Sequence, residues 1–239
     1  YLPGDDSALI WQENLSFSQM PQVTNPDSGF VFSANQTPFN VTAEAENPKE
    51  SALAPEHGFQ TDMSNRAHRG LELFSALGPM ISKEEFSAIK HDKFYSPSTF
   101  YVTYLNTIAA QSFTDPSLQR AQQVLAQWDL GTDVDNTGAA LGTCVFLAAE
   151  RADDRESHDA RTVADLLGDC VETLLATTGR LDPPWGEVNR HVRGDVNVPV
   201  GGGPDILRAI YGRDLNDDGF LTNVAGDGLY YLVAWGAEG

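Results

Sequence analysis

The stretch Thr137-Gly-Ala-Ala-Leu-Gly-Thr-Cys144-Val-Phe-Leu-Ala-Ala-Glu-Arg-Ala152 decides how this chain folds, because it is apolar almost all round at helical spacing. A surface helix carries one apolar stripe, whereas a helix that is apolar on all sides is buried. We therefore predict a central helix over residues 137–152. The next segment, residues 157–178, is amphipathic and stops at Gly179, a common residue after helix C-termini. A pair of helices is predicted at the centre of the fold.

Each of these two segments carries one cysteine, Cys144 and Cys170, and the chain has no others. Both lie within apolar helical patterns, so two buried thiols are predicted. The sequence leaves one alternative open, a disulfide between paired helices.

Several helix start signals lie in the residues before the two central helices. Ser64 or Asp62 can cap a helix that ends at Gly78-Pro79, and Ser82-Lys-Glu-Glu85 is a capping box. Residues 98–113 repeat apolar side chains at helical spacing, and Asp115-Pro116 places a proline in the first turn of another helix. These signals predict four further helices.

Outside the helices the chain has a different character, which divides it into three regions. Residues 1–60 form a strand and turn segment, residues 61–180 a helical region, and residues 181–239 a mixture of loop, short helix and terminal strand. Short strands are predicted at residues 9–11 and 29–32. The fold class predicted from this order is α+β.

Two further elements are predicted in the last region. Residues 205–211 are typical of a short helix, and the apolar run at residues 229–236 is typical of a strand. Just before the first of them, Gly201-Gly-Gly203-Pro204-Asp205 lacks the lysine of a phosphate-binding loop, so we interpret it as a flexible connection.

The charge balance limits the partners of the chain. It holds 34 acidic and 15 basic residues, for a formal net charge of −19. A field of that sign repels phosphate backbones and anionic lipid, so neither nucleic-acid nor membrane binding is expected. No apolar run approaches the roughly 20 residues of a membrane span.

Two local features could take part in chemistry. Asn35 follows the strand predicted at residues 29–32, and its side-chain amide could present two donors to a substrate, although an asparagine before Gln-Thr-Pro is most often a turn residue. Arg66 and Arg69 lie near the start of a predicted helix, where the helix dipole disfavours a cation. That position hints at a carboxylate or ligand partner, although a surface salt bridge is the favoured interpretation.

A partial calcium loop is present near the end of the chain. Asp214, Asn216 and Asp218 occupy positions 1, 3 and 5 of such a loop, with Gly219 at position 6. Position 12 is Ala225 rather than glutamate, so a polar turn is the favoured interpretation. The five histidines show no metal-ligand spacing.

Several motifs in order resemble the penicillin acylase family of N-terminal-nucleophile hydrolases. They include Gln19-Met-Pro-Gln-Val-Thr-Asn-Pro-Asp-Ser-Gly29, Ala34-Asn-Gln-Thr-Pro38, Ser64-Asn-Arg66, Trp185-Gly-Glu-Val-Asn-Arg190 and Val198-Pro-Val-Gly-Gly-Gly-Pro-Asp205. The last of these is most similar to the branch that contains acyl-homoserine-lactone and aculeacin acylases. The resemblance implies an αββα fold whose sheet receives strand segments from this chain.

The resemblance also implies a mechanism and site residues. The nucleophile of the family is a serine freed at the N-terminus of the larger chain by self-cleavage, and its own α-amino group is the base. Asn35 falls at the oxyanion-hole asparagine, and Arg66 at an arginine that organises the site. Glu46 lies near the offset of one carboxylate that binds a structural calcium. No cofactor is needed for the chemistry, and a periplasmic or secreted location is implied.

The chain departs from this family pattern at its start. Tyr1 is not a terminal serine, so we expect an internal fragment of the larger chain that is inactive when isolated. Its partners would be the small chain, the nucleophile-bearing part of the large chain and a small N-acyl substrate such as an N-acyl homoserine lactone or a penicillin. The alternative is a non-catalytic helical binding or structural module, or a degenerate acylase relative.

Overall fold

A computed structural model describes residues 3–10, 14–53, 57–78, 80–153, 161–212, 219, 221–226 and 228–235. The chain divides into two compact units, Tyr1–Asp62 and Met63–Gly239.

The described part of the first unit contains single helical turns and no regular strand. Its 3₁₀ turns are Ser7–Leu9, Phe17–Gln19, Glu44–Glu46 and Glu50–Ala52. The strand predicted at residues 9–11 is therefore wrong over its described part, since Asp6 caps the turn that ends at Leu9 by accepting from the Ala8 N–H. Trp11 lies outside the described residues.

The strand predicted at residues 29–32 is also wrong. Val31 is exposed and its two neighbours are half-buried, so the alternation is present, and the Phe32 N–H donates to the Val41 carbonyl at 2.9 Å. No ladder develops, because the Asn47 carboxamide oxygen accepts from the N–H groups of Val41 and Thr42 at 2.7 and 3.1 Å. A side chain thus takes the donors that a neighbouring strand would need.

The second unit is built from helices, and three of them begin at the caps that the sequence predicts. In chain order they are α1 (Asn65–Ser75), α2 (Lys83–Lys90), α3 (Phe100–Ala109), α4 (Pro116–Gln127), α5 (Ala139–Asp153), α6 (Val163–Thr178) and α7 (Trp185–Val188). Ser64, Ser82 and Asp115 cap α1, α2 and α4 with their side chains, as predicted. Gly179 ends α6 at φ 74°, the left-handed conformation that glycine adopts without steric cost. Residues 157–160 of the predicted helix lie outside the described residues.

Helix α5 is central, as its all-round apolar pattern predicts. It contacts α3, α4, α6 and α7, and Leu141 and Val145 are completely buried. Four aromatic rings, Tyr95, Tyr101, Trp128 and Phe146, meet in the core at centroid separations from 4.4 to 5.7 Å.

A disulfide joins α5 to α6 within this core. It links Cys144 and Cys170, whose Cα atoms are 5.9 Å apart. The prediction of two buried thiols is therefore wrong and the alternative holds, because the helices lie side by side with both sulfurs in their interface.

The last region contains a small sheet that the sequence did not indicate. Its strands are β1 (Asn189–Arg193), β2 (Val196–Pro199) and β3 (Leu221–Thr222), in the order β2-β1-β3. Strand β1 pairs antiparallel with β2, with Arg193 opposite Val196, and parallel with β3. Helices together with this sheet confirm the α+β class.

The other two elements predicted for this region are wrong where they are described. Residues 205–211 form turns, and Tyr211 bridges to Ala225 instead of closing a helix. Residues 228–235 form no strand, and Tyr231 and Trp235 are each 78 % exposed. An apolar run becomes a strand only where a neighbour supplies hydrogen bonds, and the described residues offer this run none.

The glycine-rich loop is tightly packed, which corrects its interpretation as a flexible connection. Gly202 has φ 127°, and a Cβ there would lie 2.5 Å from the Arg208 carbonyl oxygen. The Trp185 indole N–H donates to the Gly202 carbonyl at 2.7 Å. The loop therefore has a fixed shape.

No described helix is long and apolar enough to cross a membrane.

Candidate active site

Asn35 lies at the exposed tip of a turn in the first unit. Its φ is 60°, in the left-handed region that asparagine tolerates better than most residues. Within the described part of the chain, its carboxamide has no hydrogen-bond partner. The side chain is therefore free to donate to an external group.

The neighbouring glutamine holds this turn in shape. The Gln36 amide nitrogen donates to the carbonyls of Phe32 and Asn40 at 3.3 and 3.0 Å, and its oxygen accepts from the Ala34 N–H at 2.5 Å. Thr37, completely buried, adds a backbone bond from Asn40 at 3.4 Å. A donor on a braced turn loses little entropy when it binds, which suits it to electrostatic stabilisation.

Glu46 is engaged with a backbone turn in the same unit. Its carboxylate accepts from the N–H groups of Asp27 and Ser28, the latter at 3.0 Å. A hydrogen bond from the Ser28 side chain, together with those from the two N–H groups, lowers the pKa of Glu46. Among the described residues, there is no group of three or more histidine, cysteine, aspartate or glutamate side chains that could hold a metal ion.

Arg66 is the second residue of α1, and a carboxylate faces it. The Nε atom is 3.7 Å from the Asp205 Oδ1, and the two side chains are 30 % and 17 % exposed. Arg69, one turn on, makes a two-point bond with Asp92, at 3.0 Å from Nε and 2.8 Å from Nη2. Both arginines therefore form ion pairs with carboxylates, and these pairs are partly buried rather than fully on the surface as favoured from the sequence.

The residue before Arg66 links α1 to the glycine-rich loop. Asn65 is fully buried, and its backbone N–H donates to the Asp205 Oδ2 at 2.7 Å while its side-chain nitrogen donates to the Asp205 carbonyl at 2.7 Å. Its side-chain oxygen accepts from the Ser96 N–H at 2.9 Å and the Thr99 hydroxyl at 3.1 Å. Asn65 and Asp205 thus clamp two parts of the chain together.

Asp205 occupies an unusual electrostatic position. Burial raises its pKa, while the N–H groups of Asn65 and Arg66, the charge of Arg66 and the Tyr101 hydroxyl lower it, and burial prevails. Burial also raises the pKa of the Tyr101 hydroxyl. Sequence reasoning missed Asp205 as a partner of Arg66, since no local pattern links residues so far apart in the chain.

The predicted residues fall in different parts of the molecule. Asn35 and Glu46 belong to the first unit and Arg66 to the second, and each has been placed within its own unit. Asp214, Asn216 and Asp218 lie outside the described residues.

Comparison with known families gives one match over nearly the whole chain. The family model described as Penicillin amidase matches residues 1–238.

Proposed function

Because the chain belongs to the penicillin amidase family, we propose that it forms part of an amidohydrolase in which Asn35 donates to the oxyanion of a linear amide under attack. The family supports hydrolysis of amides. The branch, the substrates and the role of each residue are our own proposals.

The observation that carries the proposal is the state of the Asn35 carboxamide. It is exposed, has no partner in the described structure and lies on a turn braced by Gln36. Asn47, by contrast, uses its oxygen and nitrogen on four backbone groups and is structural. Only an amide without internal partners can donate to a charge that develops in the transition state.

The proposed reaction uses a terminal serine on a part of the enzyme other than residues 1–239. Its hydroxyl attacks the amide carbonyl and its α-amino group takes the proton, which gives a tetrahedral oxyanion. The C–N bond then breaks, the amine leaves with that proton, and water hydrolyses the acyl-serine ester. Asn35 would donate to the oxyanion in both steps, and Arg66 would organise the site.

The test compares two asparagines in the enzyme that contains this chain and its serine. Asn35→Ala should lower kcat by about 10²–10³-fold on a chromogenic N-acyl anilide, the usual effect of losing one oxyanion donor. Asn25→Ala is the matched control, because Asn25 is also exposed, has φ 49° and lacks a side-chain partner within the described ranges.

The two variants separate catalysis from backbone strain. Both replace an asparagine in the left-handed region, so both should lose similar stability, and only Asn35→Ala should lose rate. An Asn35→Ala rate close to wild type would remove Asn35 from the mechanism. Failure of the unaltered enzyme to hydrolyse any N-acyl amide would favour a non-catalytic module instead.

The substrate class proposed from the resemblance is N-acyl compounds, with N-acyl homoserine lactones ahead of penicillins. The motif that supports this order, Val198–Asp205, forms the packed loop of the second unit. Relative kcat/KM values on the two substrate classes test the order, and a preference for penicillins would reverse it.

Two further proposals concern the cellular location of the protein and a bound calcium ion. The disulfide between α5 and α6 supports a periplasmic or secreted location, since disulfides persist in oxidising compartments. A structural calcium rests on the resemblance alone, since the Glu46 carboxylate accepts backbone N–H bonds and no three histidine, cysteine or acidic side chains lie together among the described residues. A melting temperature unchanged by chelator would argue against the ion.

A further inference from the structure

We propose that Asp205 is a positioning residue that holds the Arg66 guanidinium in place for the reaction, an inference that rests on the proposed function. The carboxylate attracts the guanidinium by its charge and leaves all the side-chain donors of Arg66 for the site.

Asp205 is itself held rigidly from several sides. Its carboxylate accepts from the Asn65 N–H at 2.7 Å, and its carbonyl accepts from the Asn65 side chain at 2.7 Å. Its backbone has φ 48°, in the left-handed region that aspartate tolerates better than most residues. The carboxylate therefore has a single position.

The contact that Asp205 makes with Arg66 is electrostatic and leaves hydrogen bonds unmade. Arg66 Nε is buried without a hydrogen-bond partner, 3.7 Å from the carboxylate oxygen. No described residue accepts a hydrogen bond from the terminal nitrogens of this side chain either. A buried donor without a partner calls for an explanation, and a guanidinium offers five donors.

The arginine one turn further along α1 shows what a structural pair looks like. Arg69 donates twice to Asp92, with Glu72 at 3.5 Å, so its charge and donors are used within the protein. The Arg66 pair supplies the same compensating charge and uses none of the side-chain donors. This difference between neighbouring pairs indicates that Asp205 orients Arg66 for a group from outside the second unit's core.

Asp205→Asn tests the role, because asparagine can still accept from the Asn65 N–H and tolerates positive φ, yet carries no charge. In the complete enzyme it should lower kcat about 10- to 100-fold with little change in KM, the scale expected for a misplaced site group. The control, Asp92→Asn, removes the carboxylate of the structural pair and should keep kcat within about twofold of wild type.

A double-variant cycle separates positioning from folding. If Asp205 acts through Arg66, Asp205→Asn should cause no further loss of kcat in an Arg66→Ala background, whatever its effect on melting temperature there. The double variant also covers a single Asp205→Asn that fails to fold, since removal of the arginine relieves its unpaired charge. Its kcat is then compared with Arg66→Ala alone.

Four results would overturn the inference: wild-type kcat in folded Asp205→Asn, wild-type kcat in Arg66→Ala, an additive loss in the double variant, or an equal loss in Asp92→Asn. Each leaves the Asn35 result standing. An unaltered enzyme without amidase activity would instead remove the proposed function, and this inference with it.

Discussion

Reduction of the Cys144–Cys170 disulfide should destabilise the second unit by an amount that the loop length sets. The bond joins α5 to α6 across a sequence separation of 26 residues, so it limits how far the two segments can separate in the unfolded chain. The relation between loop length and chain entropy gives about 3.5 kcal/mol at 25 °C. For a unit of this size the melting temperature should fall by on the order of 10 °C.

Thermal unfolding with and without a phosphine reductant measures this effect, followed by far-UV circular dichroism. The matched control is Cys144→Ala/Cys170→Ala, which has no cross-link to reduce. Cys170 is 2 % exposed, so the double variant also loses core contacts and its absolute melting temperature is not the comparison. Only the response to reductant is compared, and it should appear in the wild type alone.

The reasoning fails if thiol titration shows two free cysteines after reduction while the melting temperature stays within about 2 °C of the oxidised protein, well below the entropic estimate. An equal response in the cysteine-free variant would show that the reductant acts elsewhere.

Further predictions concern two helical glycines and one carboxylate. Gly142→Ala should destabilise the fold by about 1–3 kcal/mol, because its Cβ would lie 2.1 Å from the buried Trp128 ring. Gly168→Ala, with open space around its Cβ, should instead stabilise the fold by about 0.5–1 kcal/mol. Urea unfolding midpoints measure both changes in stability. If both variants shifted the stability in the same direction, the packing argument would be contradicted. Because burial raises the native pKa of Asp205, the native state holds this proton to higher pH, so the contribution of Asp205 to stability falls as pH rises from about 4. Unfolding free energies at pH 4 and 7 should show wild type losing stability relative to Asp205→Asn as pH rises, and the opposite trend would refute the shift.

The helices were predictable from sequence because their signals are local. The Ser82–Glu85 capping box is complete within four residues, and both its bonds form in the structure. Pro116 after Asp115 acts over one turn, and Gly179 ends α6 through its own backbone freedom. Such signals do not depend on what the rest of the chain does.

The strands and the disulfide depend on distant partners. The residues around Phe32 alternate like a strand. The N–H groups of the facing segment, at Val41 and Thr42, donate to the Asn47 side chain instead of to a neighbouring strand. Cys144 and Cys170 could be paired only once α5 and α6 were known to lie side by side.

Part of the candidate site could be proposed from the sequence, because the signals for those residues are local. Asn35 and Arg66 lie in motifs that a family resemblance identifies within a few residues. Asp205 could not be connected to Arg66 from sequence, since no local pattern joins residues that far apart, and the glycines before it suggested mobility where the structure has close packing.

The clamp between Asn65 and Asp205 also sets an order of events during synthesis. Its partners are 140 residues apart, so α1 leaves the ribosome roughly 7 to 30 s before the carboxylate that caps its first N–H groups. Throughout that interval Arg66 has no counter-charge from Asp205, and the start of the helix is held by Ser64 alone. The surroundings of Arg66 are therefore completed only when the glycine-rich loop has been made, which ties its final placement to the last part of the chain.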